Sequence, residues 1–183
     1  MFFQLDQGML FGTAAGLSCG FLNFILPALT AAGNTGLVWL IAGALFLLDK
    51  RTRRCGWALL FAIALVYVCG NVILKDLVMR ERPFTAYNVP YLLIPPPDGY
   101  SFPSGHAASS FAALTVIFSM HKKMRIPASI YALLIAFSRV YLFVHFPSDV
   151  LAGALAGTGS AYAVMALMRR FSPPRLLYEM EIT

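Results

Sequence analysis

The sequence predicts an all-α protein, a polytopic bundle of membrane-spanning helices, and three observations lead there. Of its 183 residues, 59% are hydrophobic and only 12% charged. A soluble domain carries about 25% charged residues, so lipid is the solvent for much of this surface. The apolar residues fall into runs close to the about 20 residues that a spanning helix needs. Lys and Arg cluster between alternate runs, as they do where positive charge orients a chain across a membrane. The length suits one domain.

Residues 8–30 are apolar enough to span, but Gly8, Gly12, Gly16, Gly20, Asn23 and Pro27 interrupt them and their flanks are nearly uncharged. They read as one or two helices lying at the outer interface. The alternative is a sixth span, joined to the next by a few residues around Gly33 and Asn34. About five spans then follow. The first covers 31–48 and stops at the cluster Asp49–Arg54; the second covers 55–74 and ends at Lys75. A polar stretch, 76–103, contains Pro83, Pro90, Pro95, Pro96 and Pro97. The third span covers 104–120, the fourth 126–144 and the fifth 148–168. The chain thus divides into an N-terminal interfacial segment (1–30), a membrane-embedded domain (31–170) and a polar tail (171–183).

The basic clusters at Lys50–Arg54, at Lys122–Arg125, and at Arg169, Arg170 and Arg175 lie on one face of this arrangement, which is cytoplasmic. This places the protein in the plasma (inner) membrane and the second-to-third loop and fourth-to-fifth turn outside. The net charge of +6 reports topology here and not a nucleic-acid partner. Cys19, Cys55 and Cys69 sit in apolar runs without paired spacing and read as small buried hydrophobes. No basic start with an Ala-x-Ala exit marks a cleavable signal, and no internal repeat of a transporter is visible. Gly153 and Gly157 have the small-residue spacing of a close helix contact, within one chain or between copies in a homodimer.

The outer side collects nearly all the remaining ionisable residues: Lys75, Asp76, Arg80, Glu81, Arg82, Asp98, His106, Arg139, His145 and Asp149, with Asp6 if the N-terminus lies outside. Lys75 ends one span and Arg139 lies within the outer half of another. Ionisable groups at that depth face a bundle interior. Cations converging there would repel one another unless an anion bound between them, and the Arg fork suits phosphate oxygens. Pro103 fits the first position of a helix, which puts Ser104, Gly105 and His106 in a first turn whose free N–H groups favour an anion. Pro147 fits the start of the fifth span, with Asp149 near the third helical position, where its carboxylate can turn back toward His145. A carboxylate on one imidazole nitrogen leaves the other free to attack. His121, beside Lys122 and Lys123 on the inner face, is assigned no chemistry. Asp76, Arg80 and Glu81 read as solvated loop charges, and Asn71 as a packing hydrogen bond.

Three motifs carry a resemblance. Lys75, six residues, Arg82-Pro83; Pro103-Ser104-Gly105-His106; and Ser138-Arg139, five residues, His145, three residues, Asp149 occur in order. The chain resembles the type 2 phosphatidic acid phosphatases, a family of compact integral-membrane lipid phosphatases related to vanadium haloperoxidases. The resemblance implies that His145 takes a phosphoryl group as phosphohistidine, with Asp149 orienting it. It implies that His106 is the general acid, and that Lys75, Arg82, Ser104, Gly105 and Arg139 bind phosphate. No acidic cluster stands ready for Mg²⁺, so no metal or other cofactor is expected. The implied partner is a membrane lipid phosphate in the bilayer. Undecaprenyl diphosphate is favoured, with phosphatidylglycerophosphate and phosphatidate as alternatives. Phosphoryl transfer to another lipid, and a lipid-binding or lipid-translocating protein without hydrolysis, are the rival readings. Vanadate-dependent oxidation fits poorly with membrane embedding.

Overall fold

A computed structural model describes residues 2–171; the predicted tail lies outside the described residues beyond Phe171. Every regular element among the described residues is helical. The N-terminal segment is two helices, α1 (Phe2–Leu17) and α2 (Gly20–Ala32). Ser18 and Cys19 break residues 8–30, so this stretch is not one continuous helix. A short 3₁₀ turn at Asn34–Gly36 leads into α3 (Leu37–Leu48), which bends 50° from α2. Gly36 makes that turn at φ +74°, a backbone state that side chains disfavour.

Each of the five predicted spans is helical. After α3, α4 (Arg53–Val66) runs through a π-helical stretch, Tyr67–Leu74, into α5 (Lys75–Val78). Beyond the short α6 (Pro83–Ala86) come α7 (Gly105–Met120), α8 (Arg125–Tyr141) and α9 (Pro147–Arg170). The helical run that begins at Arg53 and α9 are each long and apolar enough to cross a membrane, and the bent α2–α3 pair adds a third such rod; α7 is shorter. Large apolar side chains stand exposed on the outer faces, including Phe24, Leu45, Phe61, Val72, Leu133 and Leu155. That pattern suits lipid contact, since the hydrophobic effect penalises it in water.

The bundle closes around α7, whose small residues Ala107, Ala108, Ala112 and Ala113 are buried. α7 and α9 run parallel, and Gly153 and Gly157 let their backbones touch. A Cβ at Gly153 would come within 2.4 Å of the Ser104 carbonyl oxygen, and one at Gly157 within 2.1 Å of that of Ala108. The small-residue spacing is therefore used inside the chain. Gly43 and Gly56 play the same part between α3 and α4, where a Cβ at Gly56 would meet the Gly43 carbonyl at 2.7 Å. α7 and α9 start where α8 ends, so Lys122–Arg125 and Arg169–Arg170 fall at the opposite end of the bundle from the turns that carry His106 and His145. His121 is also at that far end, stacked on Phe46 with ring centroids 4.9 Å apart.

Gly157→Ala forces backbone apart, and overpacking of this kind costs about 1–3 kcal/mol. The variant is expected to lose thermal stability in detergent, whereas Gly159→Ala, with open space around its Cβ, keeps it.

Candidate active site

Phe146 leads into α9 as its N-cap, with Pro147 as the first helical residue. Asp149 is then the third helical residue, and its Oδ2 turns back to accept the Phe146 N–H at 2.9 Å. The preceding turn, 142–146, bends sharply at Phe143, where φ is +59°. The Arg139 carbonyl accepts N–H bonds from both Val144 and His145. These local constraints aim His145 and Asp149 at one point in the interior, where they are 2% and 0% exposed.

His145 Nδ1 lies 3.7 Å from Asp149 Oδ2, too far for a direct hydrogen bond. Ser101 fills the gap. Its hydroxyl donates to Asp149 Oδ2 at 2.5 Å, because the ionised carboxylate only accepts, and its oxygen stands 3.4 Å from His145 Nδ1. This order puts the ring proton on Nδ1 and leaves the Nε2 lone pair free. Arg82 Nη1 meets that lone pair at 3.3 Å. Burial pushes the His145 imidazole down from 6.5 to about 3; Asp149 opposes this, while Arg139 and Arg82 add to it. The ring is therefore neutral at physiological pH.

Arg82, expected to bind phosphate, is held here by three backbone carbonyls. Nε donates to the Gly99 carbonyl at 2.9 Å, Nη2 to that of Asp98 at 3.0 Å and Nη1 to that of Val144 at 3.0 Å. It thereby pins the end of the loop 84–101, which the Ser101 N–H to Arg80 carbonyl bond also holds. Arg139, 2% exposed, donates from Nη1 to Thr30 Oγ1 of α2, and its buried Nε has no partner among the described residues. An unpaired buried N–H of a cation marks room for an anion. Lys75 is half-buried and within electrostatic reach of Arg82 and Arg139.

The second motif differs in one detail from the expectation. Pro103 is not the first helical residue: Ser104 caps α7, its Oγ accepting the Ala107 N–H at 3.5 Å, and the helix begins at Gly105. Pro103 therefore precedes the cap. Gly105 is packed against Asn71, whose amide oxygen would be 2.9 Å from a Cβ there. His106 faces Asn34 Oδ1 through Nε2 at 3.1 Å. His106 and His145 are close enough to feel each other's charge.

Three residues of this assembly were assigned no part in the chemistry from the sequence. Ser101 was a single serine between Tyr100 and Phe102 in the polar loop. Arg80, expected in solvent, instead bonds Asp149 Oδ1 at 2.7 Å and Asp6 Oδ2 at 2.8 Å. Asp6 belongs to α1, distant in the chain. The only sequence signal for the Arg80 role was a second Arg two residues ahead of Arg82.

A neutral buried histidine beside a carboxylate, ringed by cations in an all-helical membrane-type bundle, defines the class of site. The chain belongs to the PAP2 superfamily, whose family description matches residues 56–173. It is 41% identical to an undecaprenyl-diphosphatase of Sulfolobus acidocaldarius over 75% of this chain and 66% of that one, slightly under two thirds of its length. It is 32% identical to phosphatidylglycerophosphatase B of Bacillus subtilis over 74% of this chain and 70% of that one. Its fold matches the crystal structure of a transmembrane PAP2-type phosphatidylglycerolphosphate phosphatase from Bacillus subtilis, with a TM-score of 0.74 at 25% identity over 93% of this chain and 88% of the other. It also matches LpxE of Aquifex aeolicus, with a TM-score of 0.76 at 26% identity over 88% of this chain and 95% of the other.

A hydrogen bond to a charged group is worth about 1.5–3 kcal/mol, so Ser101→Ala is expected to lower turnover about tenfold to a hundredfold. Steady-state kinetics on a lipid phosphate check this; Ser101→Thr keeps the hydroxyl and should recover part of the loss.

Proposed function

We propose that the protein is an integral-membrane phosphatase acting on a lipid phosphate or diphosphate, with its site on the outer face of the plasma membrane. The observation that carries this reading is the neutral, buried His145, with Nδ1 turned to Ser101 and Asp149 and Nε2 turned to the cations. In the first step Nε2 attacks phosphorus and the bond to the leaving oxygen breaks. His106 gives that oxygen a proton. In the second step water attacks the phosphohistidine, His106 takes its proton, and inorganic phosphate leaves with His145 restored. Asp149 offsets the positive charge that the ring gains on phosphorylation. Lys75, Arg82 and Arg139, with the Ser104 and Gly105 end of α7, hold the equatorial oxygens on which charge builds. Arg82 exchanges its contact with Nε2 for a phosphate oxygen as substrate arrives.

A polyprenyl diphosphate, undecaprenyl diphosphate above all, is the favoured substrate, and the Sulfolobus relative supports it. The phosphatidylglycerophosphatase relative keeps that lipid in consideration. Fixed cations and a helix N-terminus do the work that a metal does elsewhere, so turnover is metal-independent. Among the described residues no three His, Cys, Asp or Glu side chains converge as metal ligands.

The test is phosphate release by purified protein in detergent, with chelator present, on polyprenyl diphosphate, phosphatidylglycerophosphate and phosphatidate in parallel. Release is expected to continue with chelator, and loss restored by Mg²⁺ would overturn metal independence. His145→Ala is expected to abolish both release and acid-labile phosphoenzyme, and His106→Ala to slow turnover severely. Binding without release would favour a lipid carrier; label passing to an added lipid acceptor would favour a transferase.

A further inference from the structure

Arg80 takes no part in the steps above, yet among the described residues it is the cation that bonds two carboxylates at once. Nη1 is 2.7 Å from Asp149 Oδ1 and 2.7 Å from Ser148 Oγ. Nη2 is 2.8 Å from Asp6 Oδ2. The guanidinium carbon lies 4.0 Å over the centre of the Phe146 ring. Asp6 completes the set from α1. Its Oδ1 accepts the Ser148 N–H at 2.9 Å, and its Oδ2 accepts the Ser148 hydroxyl. That N–H belongs to the first turn of α9 and has no acceptor within the helix. Asp6 is buried and Arg80 half-buried, so this network is sheltered and not a fully solvated surface pair.

Asp149 is thereby held from two sides. Ser101 and the Phe146 N–H occupy Oδ2, and Arg80 occupies Oδ1. A carboxylate rotates about one bond, so fixing Oδ1 fixes the direction in which Oδ2 faces His145. One guanidinium lies between two carboxylates, and its planar fork meets both at once, which a single ammonium cannot do. Without Arg80, Oδ1 would be a buried acceptor with no partner, and the carboxylate would turn to find one.

We propose that Arg80, anchored by Asp6 of the N-terminal helix, is a positioning residue that holds Asp149 in register with His145. Asp6 lies outside residues 56–173, the stretch matched by the family description, so α1 supplies part of the catalytic geometry from beyond that stretch. The inference rests on the proposed phosphohistidine route.

Single-turnover phosphoenzyme formation, read by rapid quench with labelled lipid phosphate, tests it. Wild type, His145→Ala, Arg80→Ala, Arg80→Lys and Asp6→Asn are compared, with KM and turnover measured alongside. Arg80→Ala is expected to slow phosphorylation about tenfold to a hundredfold, the loss of a charged hydrogen bond, with KM within about threefold of wild type. Arg80→Lys recovers part of the rate and Asp6→Asn loses less than Arg80→Ala. Phosphorylation at the wild-type rate in Arg80→Ala overturns the inference and leaves the phosphatase reading intact. A raised KM with unchanged turnover also overturns it, because Arg80 would then hold the lipid phosphate directly. No phosphoenzyme in wild type overturns the route itself, and this inference with it. Where Arg80→Ala does not fold, Arg80→Lys and Asp6→Asn decide: wild-type rates in both overturn the positioning role.

Discussion

A carboxylate with no exposure to solvent, at the third residue of a membrane helix, is the constraint on which this structure depends. Asp149 cannot remain ionised in an apolar interior unless its oxygens are answered by donors. The fold brings four of its elements to that one residue. The start of α9 supplies the Phe146 N–H, the approach to α7 supplies Ser101 and the loop after α5 supplies Arg80, while the turn after α8 places His145 3.7 Å away. Each donor is itself fixed by another contact, so the loops that meet at this end of the bundle are stitched together through polar bonds. The rest of the bundle is held by apolar packing, which is indifferent to direction.

Glycine makes that convergence possible at the other scale. Parallel α7 and α9 approach until Ser104 and Ala108 carbonyls stand where side chains of α9 would be. The close crossing sets the Ser104–Gly105 turn beside the start of α9; the Ser104 N–H bonds the Asp149 carbonyl at 3.0 Å. The turn proposed to bind phosphate and the start of α9 that follows the histidine turn are therefore joined directly. Preorganisation of this kind is what lets fixed dipoles and cations act on developing charge without rearrangement.

The N-terminal segment has a larger part than its ambiguous hydropathy suggested. Two helices interrupted at Ser18 and Cys19 replace a continuous rod, and both reach the site. Thr30 meets Arg139, Asn23 accepts from the Tyr141 hydroxyl at 2.6 Å, and Asp6 meets Arg80. Gly-rich, nearly uncharged sequence concealed this, because the contacts lie between residues more than 70 positions apart. Local periodicity carries no information about partners at that separation.

The sequence by itself determined the apolar bundle, the order of its helices, the clustering of Lys and Arg at one set of helix ends, and the three motifs. Those are properties of composition and short spacing, and hydrophobic burial and helix chemistry act on them locally. Asp149 at the third residue of α9, with its oxygen turned back on the helix start, was legible for the same reason: Pro147 fixes the register two residues away. The tertiary structure alone decided that Ser101 stands between His145 and Asp149, that Arg82 spends most of its donors on backbone carbonyls, and that Arg80 is half-buried against two carboxylates. A single Arg or Ser in a polar loop has the same sequence signature whether it faces water or an interior charge. Only the closing of the bundle, which removes water from one of those surroundings, makes the difference.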